Sequence, residues 1–516
     1  VAEEGATLTE LVGTLSLAAD LGLGQPMEHI ARSCLIAVEL ADRLGADRRT
    51  TYQVALLAFV GCTADSHETA LLLGDDITAR ARSYDVDLAG LSGLRYLLGL
   101  VATHGPPLRR ARTAAALVVT GGAALRTLMA THCQVTGGLA ARLGLDAEVS
   151  TLLGQTFARW DGRGVPGGVA GEQIGLPTRI VQLADDVEVH HRRGGVDAAL
   201  AAARAGSGRE FDPAVVAEFL RCGAEVLDGL PRDSSWAELI AADPAPRPLT
   251  AEQLDAACEA VADFVDVKSP WFAGHSRGVA DLAAAAARRA GHPEPDVRVL
   301  RRAGLLHDLG RTGVPNTILD KPGPLTAVER ERVELHSYYT DRMLRRVPAL
   351  AAAGRIAALA HERLDGSGYH RGLPASAVPA AARILAAADT YHAMIEARPH
   401  RPAHSPAAAA AELRAGARGG AFDPAAVEAV LGSAGHRARR ASGGPAGLTA
   451  REVQVLVLLS RAASTRQIAR RLAIAPKTVD THIERIYTKV GARNRPSAAL
   501  FAMQHGLLTT LEPVDP

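Results

Sequence analysis

Lysine is almost missing from this chain of 516 residues: it occurs only at 268, 321, 477 and 489, and arginine supplies nearly all the positive charge. Aromatic residues make up only 4%. The five cysteines, at 34, 62, 133, 222 and 258, are odd in number and never spaced Cys-x-x-Cys. That excludes a disulfide frame and a zinc knuckle and fits a reducing compartment. No run of about 18 uncharged apolar residues is present, which excludes a membrane-spanning helix. The opening Val1-Ala2-Glu3-Glu4 is acidic and shows no cationic-then-apolar leader, so the expected location is the cytoplasm. Excess charge of one sign is missing too. With 57 Lys and Arg against 56 Asp and Glu, the chain is not basic throughout. Alternating runs of β-branched residues are also absent.

What is there is helical spacing. Residues 28–44, 251–266, 277–290 and 451–461 place apolar side chains at i, i+3, i+4 and i+7, which predicts an all-α fold. A proline-rich stretch, 243–248, and a Gly- and Arg-rich stretch, 432–447, divide the chain into 1–240, 245–432 and 446–516. The last piece holds ten Lys and Arg against five Asp and Glu, so near-neutrality averages a basic tail with an acidic body. The first two pieces are related. At an offset of 204, His132 meets His336, Arg159-x-Asp161-Gly162-x-Gly164 meets Arg363-x-Asp365-Gly366-x-Gly368, and Asp185 meets Asp389. Phe211-Asp212-Pro213 repeats as Phe422-Asp423-Pro424. The pattern is a tandem duplication.

In the middle piece, His307-Asp308 follows the apolar Ala303-Gly304-Leu305-Leu306 and so points inward. A buried His-Asp pair needs partners, and a divalent metal satisfies both. The stretches His307-Asp308-Leu309-Gly310-Arg311-Thr312-Gly313, His361-Glu362-Arg363-Leu364-Asp365-Gly366-Ser367-Gly368-Tyr369, Ala388-Asp389 and Arg398-Pro399-His400-Arg401 resemble an HD-GYP phosphohydrolase domain. The resemblance spans 251–430. It implies a helical domain holding two or three ions, often iron or manganese, and hydrolysis of a phosphodiester, in that family usually cyclic di-GMP. It also implies His275, His307, Asp308, His336, His361 and Asp389 as ligands, with Asp308 bridging. Asp308 and Arg311 would be the catalytic residues. Arg398 and Arg401, with Arg311, would neutralise substrate phosphates. A pair of ions can activate water and stabilise both attacking and leaving oxygens.

Three positions depart from the family. Ala360 stands where a first histidine is usual, leaving water or His370 to fill the vacancy. Trp271 stands where trinuclear members carry glutamate, and His370 takes the third place of the Gly-Tyr-Pro motif. The first piece is read as a degenerate copy. It keeps His29, His132 and Asp185, but Cys62 and its neighbours replace the His-Asp pair and Phe157 replaces His361.

The tail reads as four short amphipathic helices, with capping boxes at Thr449–Glu452 and Ser464–Gln467 and Pro476 opening the third. Leu448-Thr449-x-Arg451-Glu452, Gln467-Ile468-Ala469 and Thr478-Val479-x-x-His482-x-x-x-Ile486-x-x-Lys489 resemble the LuxR-type helix-turn-helix domain. That implies binding of double-stranded promoter DNA as a homodimer. Asp480, Thr481 and Glu484 lie on the base-reading face, and Arg466, Lys477, Thr478, Arg485 and Lys489 are the expected phosphate contacts. The combined expectation is a one-component transcription regulator that senses or hydrolyses a nucleotide. Two alternatives are a phosphodiesterase localised by its DNA-binding tail, and a regulator with inactive HD scaffolds.

Overall fold

A computed structural model describes residues 5–101, 107–119, 123–435 and 445–509, so most of the Gly- and Arg-rich connector lies outside the described residues. Every regular element among them is a helix. The chain forms two compact units, Gly5–Thr250 and Ala251 onward.

In the second unit the helix His275–Arg289 is the central element, packed on Glu294–Leu306, Ala380–Ile395 and Pro424–Ala434. Its buried face is built from small residues: Ala280, Ala283, Ala284, Ala286 and Ala287. Small side chains let helix backbones come close, and glycines complete the approach. A Cβ on Gly304 would lie 2.6 Å from the Ala280 Cα, and one on Gly310 would lie 2.1 Å from the His336 carbonyl oxygen. The same occurs at Gly278, which leaves room for the His392 ring. These contacts draw His275, His307 and His336 together.

The first unit repeats the plan. In each copy a residue in the left-handed region, Glu28 (φ 75°) or Gly274 (φ 80°), precedes the histidine that opens the central helix. Glu28 is held there by bonds from Ser234 Oγ (3.1 Å) and the Ser235 amide (2.6 Å). A buried aspartate ten residues upstream caps each helix: Asp20 accepts from the Ile30 amide and Asp266 from the Ser276 amide, both at 2.9 Å. The shared Asp-Pro motifs are structural. Asp212 and Asp423 cap the helices that Pro213 and Pro424 open, and they pair with Arg179 and Arg383.

The tail belongs to the second unit. Its helices are Ala450–Ser460, Thr465–Leu472, Pro476–Val490 and Arg495–Gln504, and both predicted capping boxes form. The last of them packs on Ala251–Asp266, and Leu508 presses on Gly274, where a Cβ would come within 2.9 Å of the Leu508 Cβ. Arg461 donates to the Leu508 carbonyl at 2.9 Å.

In an exposed helix interior, Gly→Ala stabilises by about 0.5–1 kcal/mol. Gly304→Ala should do the opposite here, costing about 1–3 kcal/mol because the new methyl meets backbone rather than a movable side chain. Urea unfolding of the full chain measures the sign.

Candidate metal centre

Asp308 organises the site. It is 1% exposed, and neither carboxylate oxygen accepts a hydrogen bond. Around Oδ1 stand His336 Nε2 at 3.2 Å and His361 Nε2 at 3.7 Å. Around Oδ2 stand His307 Nε2 at 3.2 Å and His275 Nε2 at 3.7 Å. Asp389 closes the far side, with Oδ1 at 3.2 Å from His275 and 3.6 Å from His307, and Oδ2 at 3.2 Å from His361 Nδ1. The six ligand residues expected from the sequence therefore converge. Five of them form two three-residue clusters, His275–His307–Asp308 and Asp308–His336–His361, that share one carboxylate, and Asp389 stands beside both.

The chemistry of these donors fits divalent metal ions. His307 and His361 Nε2 are buried and make no hydrogen bond, as are both Asp308 oxygens. They face one another and Arg311 at ion-pair distances, with their hydrogen-bonding capacity left unused. The imidazole tautomers suit the task. His307 Nδ1 donates to the Gly304 carbonyl at 2.8 Å and His336 Nδ1 to that of Val333 at 2.5 Å, which turns each Nε2 lone pair inward. Burial holds His336 down at about 4, so it is neutral at physiological pH and free to ligate. Burial also opposes charge on Asp308, but Arg311, His307, His336 and His361 outweigh it and hold the carboxylate well below its ordinary range. Asp389 is lowered likewise by His361, His275 and His307.

The substrate-facing expectations fare unevenly. Arg311 Nη1 stands 2.5 Å from Asp308 Oδ2, and its guanidinium and that of Arg398 both lie over the Phe272 ring, at 4.1 and 4.5 Å. Arg401 is not available: its guanidinium donates to the carbonyls of Ala393 (2.6 Å), Met394, Glu396 and Pro402 (each 3.1 Å). It closes the loop after Ala380–Ile395 instead of meeting phosphate. His370 does not fill the place left by Ala360, being exposed and set against Tyr338. Tyr369 does reach the centre, stacked on His361 at 4.5 Å. Two residues without a sequence signal of their own also belong here, Phe272 and Glu396; the latter accepts from His275 Nδ1 at 2.8 Å.

The first unit shows what the same scaffold does without the ligands. Phe59 precedes the 3₁₀ turn Val60–Thr63 as Asp308 precedes Leu309–Gly313. Gly61 meets the His132 carbonyl as Gly310 meets that of His336. The register therefore sets Ala58-Phe59 against His307-Asp308, correcting the expectation that centred on Cys62, three residues further on. Phe157 packs edge-on to His132 at 4.7 Å, where His361 meets His336 at 4.8 Å. His132 is spent on the Ala58 carbonyl (2.7 Å). His29 lies between Asp185 (2.9 Å) and Glu188, and Tyr84 donates to the second Asp185 oxygen at 3.0 Å. No metal-holding cluster forms among the described residues of this unit.

On the tail, Arg466, Lys477, Thr478, Asp480, Thr481, Glu484 and Arg485 are exposed. Thr465 Oγ1 donates to Asp480 at 3.1 Å, tying the third helix to the second. Lys489 is exposed as well, and it bonds Glu452 Oε2 at 2.7 Å and the Gly447 carbonyl at 3.1 Å. It ties the third helix to the first, a role beyond the phosphate contact expected of it.

Burial alone would lower His29, but Asp185 and Glu188 outweigh it and push it up to about 10. His29 thus stands where the second unit has His275, and its partners are carboxylates of its own unit. A group raised in the folded state stabilises fully below its unfolded value near 6.5 and loses that contribution as pH rises through about 10. His29→Asn should cost about 3–5 kcal/mol at pH 6, as removal of one partner of a buried pair does. The penalty should shrink towards pH 10, measured by denaturant unfolding of both proteins across that range.

Residues 123–215 and 259–426 match the family described as HD domain, and residues 446–502 match the bacterial regulatory proteins of the luxR family. The chain is 31% identical over 411 residues to the 3′3′-cGAMP-specific phosphodiesterase 3 of Vibrio cholerae, spanning 78% of this chain and 89% of that protein. A crystal structure of a cyclic GMP-AMP-specific phosphodiesterase of V. cholerae (V-cGAP3) matches with a TM-score of 0.59 at 28% identity, covering 83% of this chain and 98% of the other. The cyclic di-GMP phosphodiesterase response regulator RpfG of Xanthomonas campestris is 39% identical over 152 residues, 29% of this chain and 40% of that protein. No helix among the described residues is long and apolar enough to cross a membrane. The chain belongs to the HD-domain family of metal-dependent phosphohydrolases, related to cyclic-dinucleotide phosphodiesterases, and carries a LuxR-family domain after its second HD copy.

Proposed function

We propose that this protein is a cytoplasmic one-component transcription regulator whose second HD domain hydrolyses a cyclic dinucleotide and whose tail binds promoter DNA as a homodimer. The observation that carries the hydrolytic half is the division of four imidazoles between the two oxygens of Asp308. Three-residue donor sets of nitrogen and carboxylate oxygen on either side of one bridging group suit two ions of the iron or manganese kind. When bound, such ions activate water and share the charge of the attacking and leaving oxygens.

The chain's own residues do the rest. Asp308 and Asp389 keep their charge despite burial, so they can hold cations without first losing protons. Arg311 carries positive charge beside the same centre, where a dianionic ring of two phosphodiesters needs it, while Arg398 is held by the Trp271 carbonyl and Glu396. Phe272 backs both guanidiniums and restricts their movement. The contact of Leu508 with Gly274, one residue before the ligand His275, favours a regulator over a hydrolase that is only tethered by its tail. Movement of His275 on ligand binding has a direct path to the DNA-binding module.

Purified protein should contain about two iron or manganese ions per chain and should linearise cyclic di-GMP or 3′3′-cGAMP. Asp308→Ala should lose both metal and turnover, read by elemental analysis and chromatography of the products. Metal-free wild-type protein that still binds DNA would sink the enzymatic reading.

For the tail, Lys477→Ala and Arg485→Ala should each weaken binding to all duplexes and flatten the plot of log K against log[salt] by about 0.9. Lys489→Ala should instead lower the unfolding midpoint of the protein, because it frees the buried Glu452 from its cation.

A further inference from the structure

Glu396 follows the Asp389 helix and is nearly buried, with 11% of its side chain exposed. Its Oε2 accepts from His275 Nδ1 and from Arg398 Nη2, both at 2.8 Å, and its Oε1 stands 3.2 Å from His392 Nδ1. An imidazole that donates from Nδ1 has its lone pair on Nε2, and the His275 Nε2 faces Asp389 and Asp308. His307 and His336 donate from Nδ1 to neutral carbonyls and His361 Nδ1 faces Asp389, itself an expected ligand, whereas His275 Nδ1 meets a carboxylate from outside the expected ligand set.

The first unit has the same device in a different place. There Glu188, three residues after Asp185, bonds His29 Nδ1. Three residues after Asp389 stands His392, and the carboxylate arrives four residues later, as Glu396. Both copies thus keep an acid behind the histidine that opens the central helix, although it has moved by one helical turn. Three groups near Glu396 could also suggest a cation site, since His275, His392 and Glu396 cluster. Arg398 argues against it. Its Nη2 lies 3.4 Å from His275 Nδ1 and already occupies the carboxylate with positive charge.

We infer that Glu396 is a positioning residue: it fixes the tautomer and orientation of His275 so that Nε2 meets the metal beside Asp308, and it is not itself a ligand. The inference rests on the two-ion reading of the site. Outer carboxylates of this kind typically change metal affinity by about 10–100-fold.

The test uses full-length protein stripped by chelator and titrated with Mn²⁺, with free Mn²⁺ followed by electron paramagnetic resonance. Glu396→Met, close in shape but without an acceptor, should raise the Kd of the weaker ion by about 10–100-fold. Glu396→Asp, which withdraws the acceptor by one methylene, should shift it in the same direction. Glu396→Gln should recover most of the affinity, because its amide oxygen still accepts from Nδ1. Two ions should bind in every case, and circular dichroism of the metal-free proteins identifies any variant that has lost its fold. A wild-type Kd in either folded variant, Met or Asp, overturns the inference, as does a Gln variant no better than Met. Complete loss of one ion with the other unaffected also overturns it, by making Glu396 a ligand. Wild-type protein that takes up no Mn²⁺ overturns the two-ion reading itself, and the inference with it.

Discussion

Two carboxylates buried within one helical interior set the terms for the second HD domain. Asp308 and Asp389 have lost their water, and neither can stay charged unless the surrounding helices supply compensation. Four imidazoles and Arg311 do so, and they can be there only because alanine and glycine faces let the helices approach to backbone distance. The site and the packing are therefore one problem. A methyl group added at Gly304 or Gly310 presses on backbone, and the histidines on either side would part.

The first unit solves the same problem with its own side chains. Its one remaining carboxylate of the pair, Asp185, is satisfied by His29 and by the Tyr84 hydroxyl, while Glu188 and Arg32 balance the other face of the imidazole. Where the second unit has Asp308, the first has Phe59, so the demand for cations has gone and an apolar ring fills the space. The shared scaffold persists because its supports are independent of metal. Asp20 and Asp266 cap the central helices in both copies, and each is pushed up to about 7 by burial.

Glu396 lies where the metal centre and the DNA-binding module meet. It bonds His275 and Arg398, and its charge offsets part of the burial of Arg461, whose pKa desolvation lowers. Arg461 in turn holds the Leu508 carbonyl, and Leu508 rests on Gly274. His275, Glu396 and the tail thus lie close together, through one ion pair, the charge of Glu396 acting on Arg461, and the packing of Leu508 on Gly274. In such surroundings charge acts over longer distances than in water.

Much of this was legible in the residues. The helical spacing, the repeated motifs and the two capping boxes of the tail follow from local pattern, the six expected ligands from the family resemblance, and the structure forms the helices and boxes and brings the six residues together. Three assignments were not legible, for one reason. Arg401, Lys489 and His370 look like free polar groups in a sequence, but what a long side chain does depends on which carbonyl, carboxylate or ring the fold brings within reach. Which residues around Cys62 replace His307-Asp308 in the first copy was not legible, because the ungapped match between the copies does not reach that stretch. Only the matching contacts of Gly61 and Gly310 set Phe59 against Asp308. Sequence by itself determined which families this protein belongs to, since their motifs are written in residue types at short range. The tertiary structure alone decided which acid stands behind His275 and what Arg398 bonds, because those pairings join residues more than a hundred positions apart.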